Sequence, residues 1–568
     1  MALHSKAAGD LVLRFQRSSM GGISTGGVIA ALLGLFASLS PSLLPRPWAM
    51  QGVISGLVLT LFYPVGVVAE WVVRKVAAAM ELQYSIARRA RRFFSIGWFV
   101  LATVLYFGAQ AISLSWQRDS ARLVGAPEPD TGYVLGSLLM TSVVFVGIML
   151  IYRGVHWAVT RADQLGRRML PAAVSRTLAT MVVLLLVVVL VDRLVLSNIV
   201  RVAEHSSLQS NDTAPDGFTA PSSPLRSGGP GSPESWRSLG TEGAQFVARG
   251  PSAAEIAAVT GQSALEPIRV YAGLGDRTLE EVADAVVAEL ERTGAFERAA
   301  ILVYTTTGTG WVNEWHPSAF EYLGDGDTAV AAMQYSRFPS ALALLTDTET
   351  PRQAGSVLYG AITEKMQTMP AGERPKLYAG GESLGAFGGQ DPFTSPEAML
   401  AGVDGAVWTG TPGFTPMHKS LTADRTPGST QVNPVIDNGL HFRFAANQAE
   451  LSADQYGRPL GEWQASRVVY LQHPSDPVVW WSMDLLLNAP DWIQEPAGSD
   501  VTGRIRFVPI ATLLQVSADM AVATDVDAGH GHVYRDEVVP AWAGVLGQDP
   551  TVSYASVISA IRTADLPS

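Results

Sequence analysis

The chain has 568 residues, 16% of them charged, and a mean hydropathy of +0.19. It is too long for one typical domain and too apolar for an ordinary soluble enzyme, and with no cysteine it can hold neither disulfides nor thiolate metal sites. Residues 1–204 carry 19 Lys/Arg against 9 Asp/Glu, and the remainder 21 against 42, so two parts of opposite charge sit in different surroundings.

The basic part contains five apolar runs, at 23–45, 51–69, 95–116, 131–152 and 177–200. Each is near the ~20 residues that a membrane-spanning helix needs, which predicts an all-α transmembrane domain over 1–204. Use of the first run as a cleaved signal peptide is the alternative, but no small-residue cleavage site stands out. Arg74, Lys75, Arg88, Arg89, Arg91 and Arg92 lie between the second and third runs. Arg153, Arg161, Arg167, Arg168 and Arg176 lie between the fourth and fifth. Basic loops stay in the cytoplasm, so five spans place everything after residue 204 outside a plasma membrane. Asp192 and Arg193 interrupt the last run; a snorkelling pair at the interface accounts for them better than a transport relay does.

Residues 205–251, rich in Ser, Pro and Gly, read as a linker to a domain at 252–568. G-x-S-x-G occurs twice, at Gly22–Gly26 and Gly381–Gly385. The motif has catalytic meaning only where a strand enters the serine and a helix leaves it. Ser24 stands at the mouth of an apolar helix with no strand before it. Ser383 follows the strand-like Lys376-Leu377-Tyr378-Ala379 and precedes a short helical stretch. Around it, Ile268–Tyr271, Ala300–Tyr304 and segments near 329–335, 402–408 and 466–472 read as strands, with a capping box at Thr278-Leu279-Glu280-Glu281 opening a helix between the first two. Strands alternating with helices predict a mainly parallel α/β sheet.

A serine hydroxyl needs a base, and the base an orienting acid. Asp476 lies in the turn after a late strand and His530 and His532 lie in a glycine-rich loop beyond it, in the order nucleophile, acid, histidine of α/β-hydrolases. Spacing does not separate the two histidines; the setting Ala-Gly-His-Gly favours His530, and His473 is a third candidate. Taken singly, such a serine, aspartate or histidine is more often structural. Oxyanion donors are expected at Leu384 and in the loop holding Thr307, Gly308 and Thr309. That loop lacks a G-K-[ST], which disfavours phosphate, and neither metal ligands nor a cofactor site are evident.

With TTTGTGW, GGESLGAFGGQ, LQHPSDPVVWW and AGHGHVY in this order behind apolar runs, the chain resembles an actinobacterial family of membrane-anchored α/β-hydrolases. The resemblance implies Ser383 as nucleophile, Asp476 as acid and His530 or His532 as base. The expected function is a serine esterase, lipase or acyltransferase acting on lipid or cell-envelope esters, without nucleic-acid partners. A non-catalytic hydrolase-like binding module is the alternative, and a transporter with an outer accessory domain a third class.

Overall fold

The computed structural model describes residues 24–80, 88–191, 193, 215, 217–337 and 347–565. Asp192 and residues 205–214 lie outside them. The chain divides into two compact units. The first comprises 1–187 together with 483–493 and 502–522, and the second the remainder.

The first unit is built on helices α1 (Thr25–Ser38), α2 (Trp48–Ala79), α3 (Arg88–Leu123), α4 (Gly132–Gly166) and α5 (Ala172–Val191). Among the described residues three helices are long and apolar enough to cross a membrane, at Trp48–Ala79, Gly132–Gly166 and Ala172–Leu190. This corrects the expectation of five. The first run forms a helix of only 14 residues, about 21 Å long against a hydrocarbon core of about 30 Å. The third lies inside a 36-residue helix that starts on arginines and closes on Arg118, Asp119 and Arg122. Small residues let the backbones approach: a Cβ on Gly52 would lie 2.8 Å from Ser137 O, one on Gly56 3.1 Å from Thr141 O, and one on Gly66 2.1 Å from Gly26 O. Val65, Leu150 and Leu185 are exposed on the helices.

The second unit is a seven-stranded, wholly parallel sheet: β1 (Ile268–Ala272), β2 (Ala300–Thr305), β3 (Thr328–Met333), β4 (Lys376–Glu382), β5 (Gly405–Thr409), β6 (Phe442–Ala445) and β7 (Arg467–Leu471), in the order β1-β3-β2-β4-β5-β7-β6. Helices α6 (Leu279–Thr293), α7 (Trp315–Leu323), α8 (Glu349–Gln367), α9 (Leu384–Gly389) and α10 (Val538–Val545) accompany it. α6 starts at the predicted capping box, Thr278 with Glu281. Side chains alternate along β2: Ile301 and Val303 join a core with Val286 and Leu290 of α6 and Leu358 and Ile362 of α8. Leu302 and Tyr304 join the opposite core, with Trp315 and Phe320 of α7 and Trp542 of α10. Sheets covered on both faces have continuous apolar strands, and β1, β2 and β3 are buried at every position.

Residues 217–251, expected as linker, are instead built into this unit. Arg226 bridges to Arg269, and Leu239, Phe246 and Val247 are core residues. The Ser/Pro/Gly composition hid these few apolar anchors.

Candidate active site

β4 is central in the sheet, between β2 and β5, and Ser383 sits on the turn into α9 with φ 55° and ψ −121°. A non-glycine residue adopts such angles only where its surroundings enforce them. The Ser383 N–H donates to Thr409 O at 2.9 Å, and the flanking glycines leave no room for side chains. A Cβ on Gly381 would lie 2.7 Å from Gly385 C, and one on Gly385 2.2 Å from Thr305 O. Ser24 is placed differently: it caps α1 at Gly27 N–H, and its hydroxyl is bonded to Glu70.

Ser383 and His532 line one cavity of about 640 Å³, together with Thr307, Thr309, Trp311 and Glu382. His532 Nδ1 donates to Asp476 Oδ2 at 2.7 Å. Asp476 also accepts from Tyr534 Oη at 2.7 Å and from Val478 N at 2.8 Å, and it is fully buried. With Nδ1 committed, Nε2 is the ring nitrogen of His532 that can take a proton. Burial pulls the His532 pKa down, but the charge and hydrogen bond of Asp476, with the charge of Glu382, outweigh it and raise the imidazole above its ordinary value.

The other histidines are engaged elsewhere. His530 Nδ1 lies 3.1 Å from Asp500, whose carboxylate also accepts from Ser475 Oγ. The preference for His530 is therefore not matched by its partner, which is Asp500 and not Asp476. His473 is stacked on Tyr534 at 4.2 Å, with Nε2 2.9 Å from Glu537. Burial lowers its pKa, but Glu537 outweighs this and brings it to about 9, so it is cationic at neutral pH. His316 and His418 are buried and neutral, held down to about 3 and about 4 by desolvation.

Leu384 begins α9, so its N–H is one of those a helix leaves without an internal partner. Of the loop candidates, Thr307 N–H donates to Trp311 O at 3.1 Å and Gly308 N–H to Tyr335 Oη at 3.0 Å. Both are committed within the protein. The Thr309 N–H has no partner among the described residues, and Thr309 lines the cavity.

Four neighbours carried no signal when read singly. Glu382, inside the serine motif, accepts from Asn313 Nδ2 at 2.6 Å and Thr409 Oγ1 at 3.1 Å. Its burial pushes the carboxyl above the usual range, an effect partly offset by His532 and these bonds. Tyr534, Asn313 and Asp500 hold the site from positions far apart in sequence. Among the described residues no cluster of His, Cys, Asp and Glu could hold a metal ion.

Residues 268–557 match the profile of an alpha/beta-hydrolase family, and residues 39–251 match the profile of that family's N-terminus. The chain belongs to this α/β-hydrolase family. Among solved structures, a Trichoderma reesei cutinase in complex with a C11Y4 phosphonate inhibitor has a TM-score of 0.19 and 13% identity, covering 44% of this chain and 86% of that one, a likeness too weak to carry an argument. No curated protein matches the chain.

Proposed function

We propose that this α/β-hydrolase is a membrane-anchored serine hydrolase that cleaves or transfers acyl groups through an acyl-enzyme. The observation that carries the reading is the strained Ser383 lining the same cavity as His532, whose Nδ1 is held by Asp476. Ser383 Oγ attacks the ester carbonyl carbon while His532 Nε2 takes the hydroxyl proton. Asp476 keeps Nδ1 protonated and stabilises the imidazolium. Leu384 N–H and Thr309 N–H face the oxyanion. Collapse expels the alcohol, which takes the proton from His532 Nε2, and leaves the acyl group on Ser383. A water or an acceptor hydroxyl, deprotonated by the same nitrogen, then releases it.

The substrate class is a lipid or cell-envelope acyl ester, because the catalytic unit is continuous with helices long and apolar enough to span a bilayer. The catalytic unit is placed outside the plasma membrane. Arg74 and Lys75 near the end of α2, and Arg167 and Arg168 just after α4, mark the cytoplasmic ends. For both basic ends to face the cytoplasm α3, which is not among the three candidate spans, has to cross as well; its residues 95–116 carry no charge.

Labelling of the purified protein with a serine-reactive fluorophosphonate tests the chemistry. Wild type and Ser24→Ala label equally and Ser383→Ala does not; equal labelling of Ser383→Ala would overturn the reading.

A further inference from the structure

The first unit contains two segments, 483–493 and 502–522, that belong by sequence to the hydrolase half of the chain and lie between Asp476 and His532. α1 ends at Ser38, level with Ser55 of α2, their hydroxyl oxygens 2.9 Å apart. Ser55 is about 10 Å along α2 from its start at Trp48. The non-helical connection 39–47 therefore begins within the length of α2 that a bilayer covers. Irregular backbone at that depth must have protein partners, since lipid offers none.

Those partners come from α3, where Ser113 Oγ donates to Leu39 O at 2.9 Å and Gln117 Oε1 accepts from Arg46 N at 2.7 Å, and from the hydrolase segment. Gln515 Nε2 donates to Ser38 O at 3.2 Å and to Ser40 O at 2.9 Å, satisfying carbonyls that the end of α1 leaves open. Asp519 accepts from Leu43 N at 3.0 Å and lies 3.9 Å from the Arg46 guanidinium, both side chains being fully buried. Val508, Ala511, Leu514 and Ala518 pack against Ala37, Ile54, Val58 and Phe62. Ile54 and Phe62 lie about 9 and 21 Å along α2, so this contact covers its outer half. Beside it, Ile510 N donates to Leu486 O at 3.0 Å, and three apolar side chains are uncovered, Met483 at 61% exposure, Leu486 at 36% and Leu487 at 68%, with the exposed Asp484 in the same turn.

We propose that 483–487 and 508–519 form a lipid-embedded element in the leaflet away from the basic helix ends, with Met483, Leu486 and Leu487 against acyl chains. The alternative, water on these side chains, leaves Met483, Leu486 and Leu487 hydrated beside a segment packed on a membrane helix. The lipid surface is favoured because Val508, Ala511 and Leu514 pack on Ile54, Val58 and Phe62 of α2, and Ile510 N–H ties this segment to Leu486. The proposal rests on the membrane reading above but not on the serine chemistry.

The cysteine-free chain permits a direct test. Met483→Cys, Leu487→Cys, Leu150→Cys and Val552→Cys carry a polarity-sensitive fluorophore in the full-length protein, reconstituted into vesicles of phosphatidylcholine and phosphatidylglycerol. Quenching by phosphatidylcholine spin-labelled near the carbonyl is compared with quenching by aqueous iodide, and an unchanged circular-dichroism spectrum and gel-filtration profile show that each variant is folded. At Met483→Cys and Leu487→Cys lipid quenching is expected to be comparable with that at Leu150→Cys on α4 and several-fold above that at Val552→Cys. Iodide quenching at 483 and 487 like that at 552 overturns the proposal, as does shielding from both quenchers, which would mean a protein partner. Loss of lipid quenching at Leu150→Cys as well would instead overturn the membrane reading itself.

Discussion

His530 and His532 are separated by one glycine, yet they bond to different carboxylates, Asp500 at 3.1 Å and Asp476 at 2.7 Å. Only the second pair opens on the cavity of Ser383. Removal of a triad member costs about 10³-fold or more in kcat elsewhere, and His532→Ala is expected to do so towards a short-chain nitrophenyl ester. His530→Ala should lose only about 10-fold, through the loop that Asp500 and Ser475 hold; the reverse ranking would move the base to His530. The base must be neutral to accept a proton, so its raised pKa sets activity falling as pH drops through a value above the ordinary histidine range. Asp476 from the turn after β7, Glu382 from the end of β4 and the nearby His473 are the charges that bias it. Glu382→Gln removes one of the two carboxylates that favour the imidazolium. The acid limb of kcat/KM is expected to move to lower pH, whereas a purely structural role for Glu382 would reduce the rate and leave the limb in place.

The turn between β4 and α9 depends on its glycines more than on its serine. Gly385→Ala would push a methyl into Thr305 O, 2.2 Å away, a backbone contact with no flexible end to yield. Fluorophosphonate labelling should fall at least about 10-fold, because a shift of about 1 Å at a reacting group costs that much or more. Gly360→Ala in the middle of α8 meets nothing within 4 Å and should leave labelling unchanged, with stability raised by about 0.5–1 kcal/mol. Elements of this kind were legible in the sequence because each strand is a short apolar run and the motif names its own turn. β6 was not: Arg443 interrupts Phe442–Ala445, and only in the fold does its guanidinium find Gly439 O and lie 4.3 Å from the Trp463 ring. The loop expected to hold the oxyanion was legible as a loop, but composition could not show that Thr307 and Gly308 spend their N–H groups on Trp311 and Tyr335. Nor could spacing along the chain assign Asp476 to His532, since that pairing depends on how two loops meet after folding.

Across the whole molecule, a count of apolar runs overstated the number of helices long and apolar enough to cross a membrane; the first run, for one, forms a helix of only 14 residues. It also assigned 483–522 wholly to the hydrolase, since nothing local marks Gln515 or Asp519 as partners for the end of α1. The charge asymmetry bears on the proposed orientation, because basic residues favour the cytoplasmic ends of membrane helices, with α3 crossing alongside α2, α4 and α5. On that proposed orientation Arg168, just beyond α4, and Tyr456, 50% exposed in the second unit, are expected on opposite sides of the membrane. In intact cells a membrane-impermeant maleimide should label Tyr456→Cys close to completion and Arg168→Cys only after permeabilisation, with no background from a chain that has no cysteine of its own. The opposite pattern would put the cavity of Ser383 in the cytoplasm, and the substrate class would then have to be sought among esters of the inner leaflet.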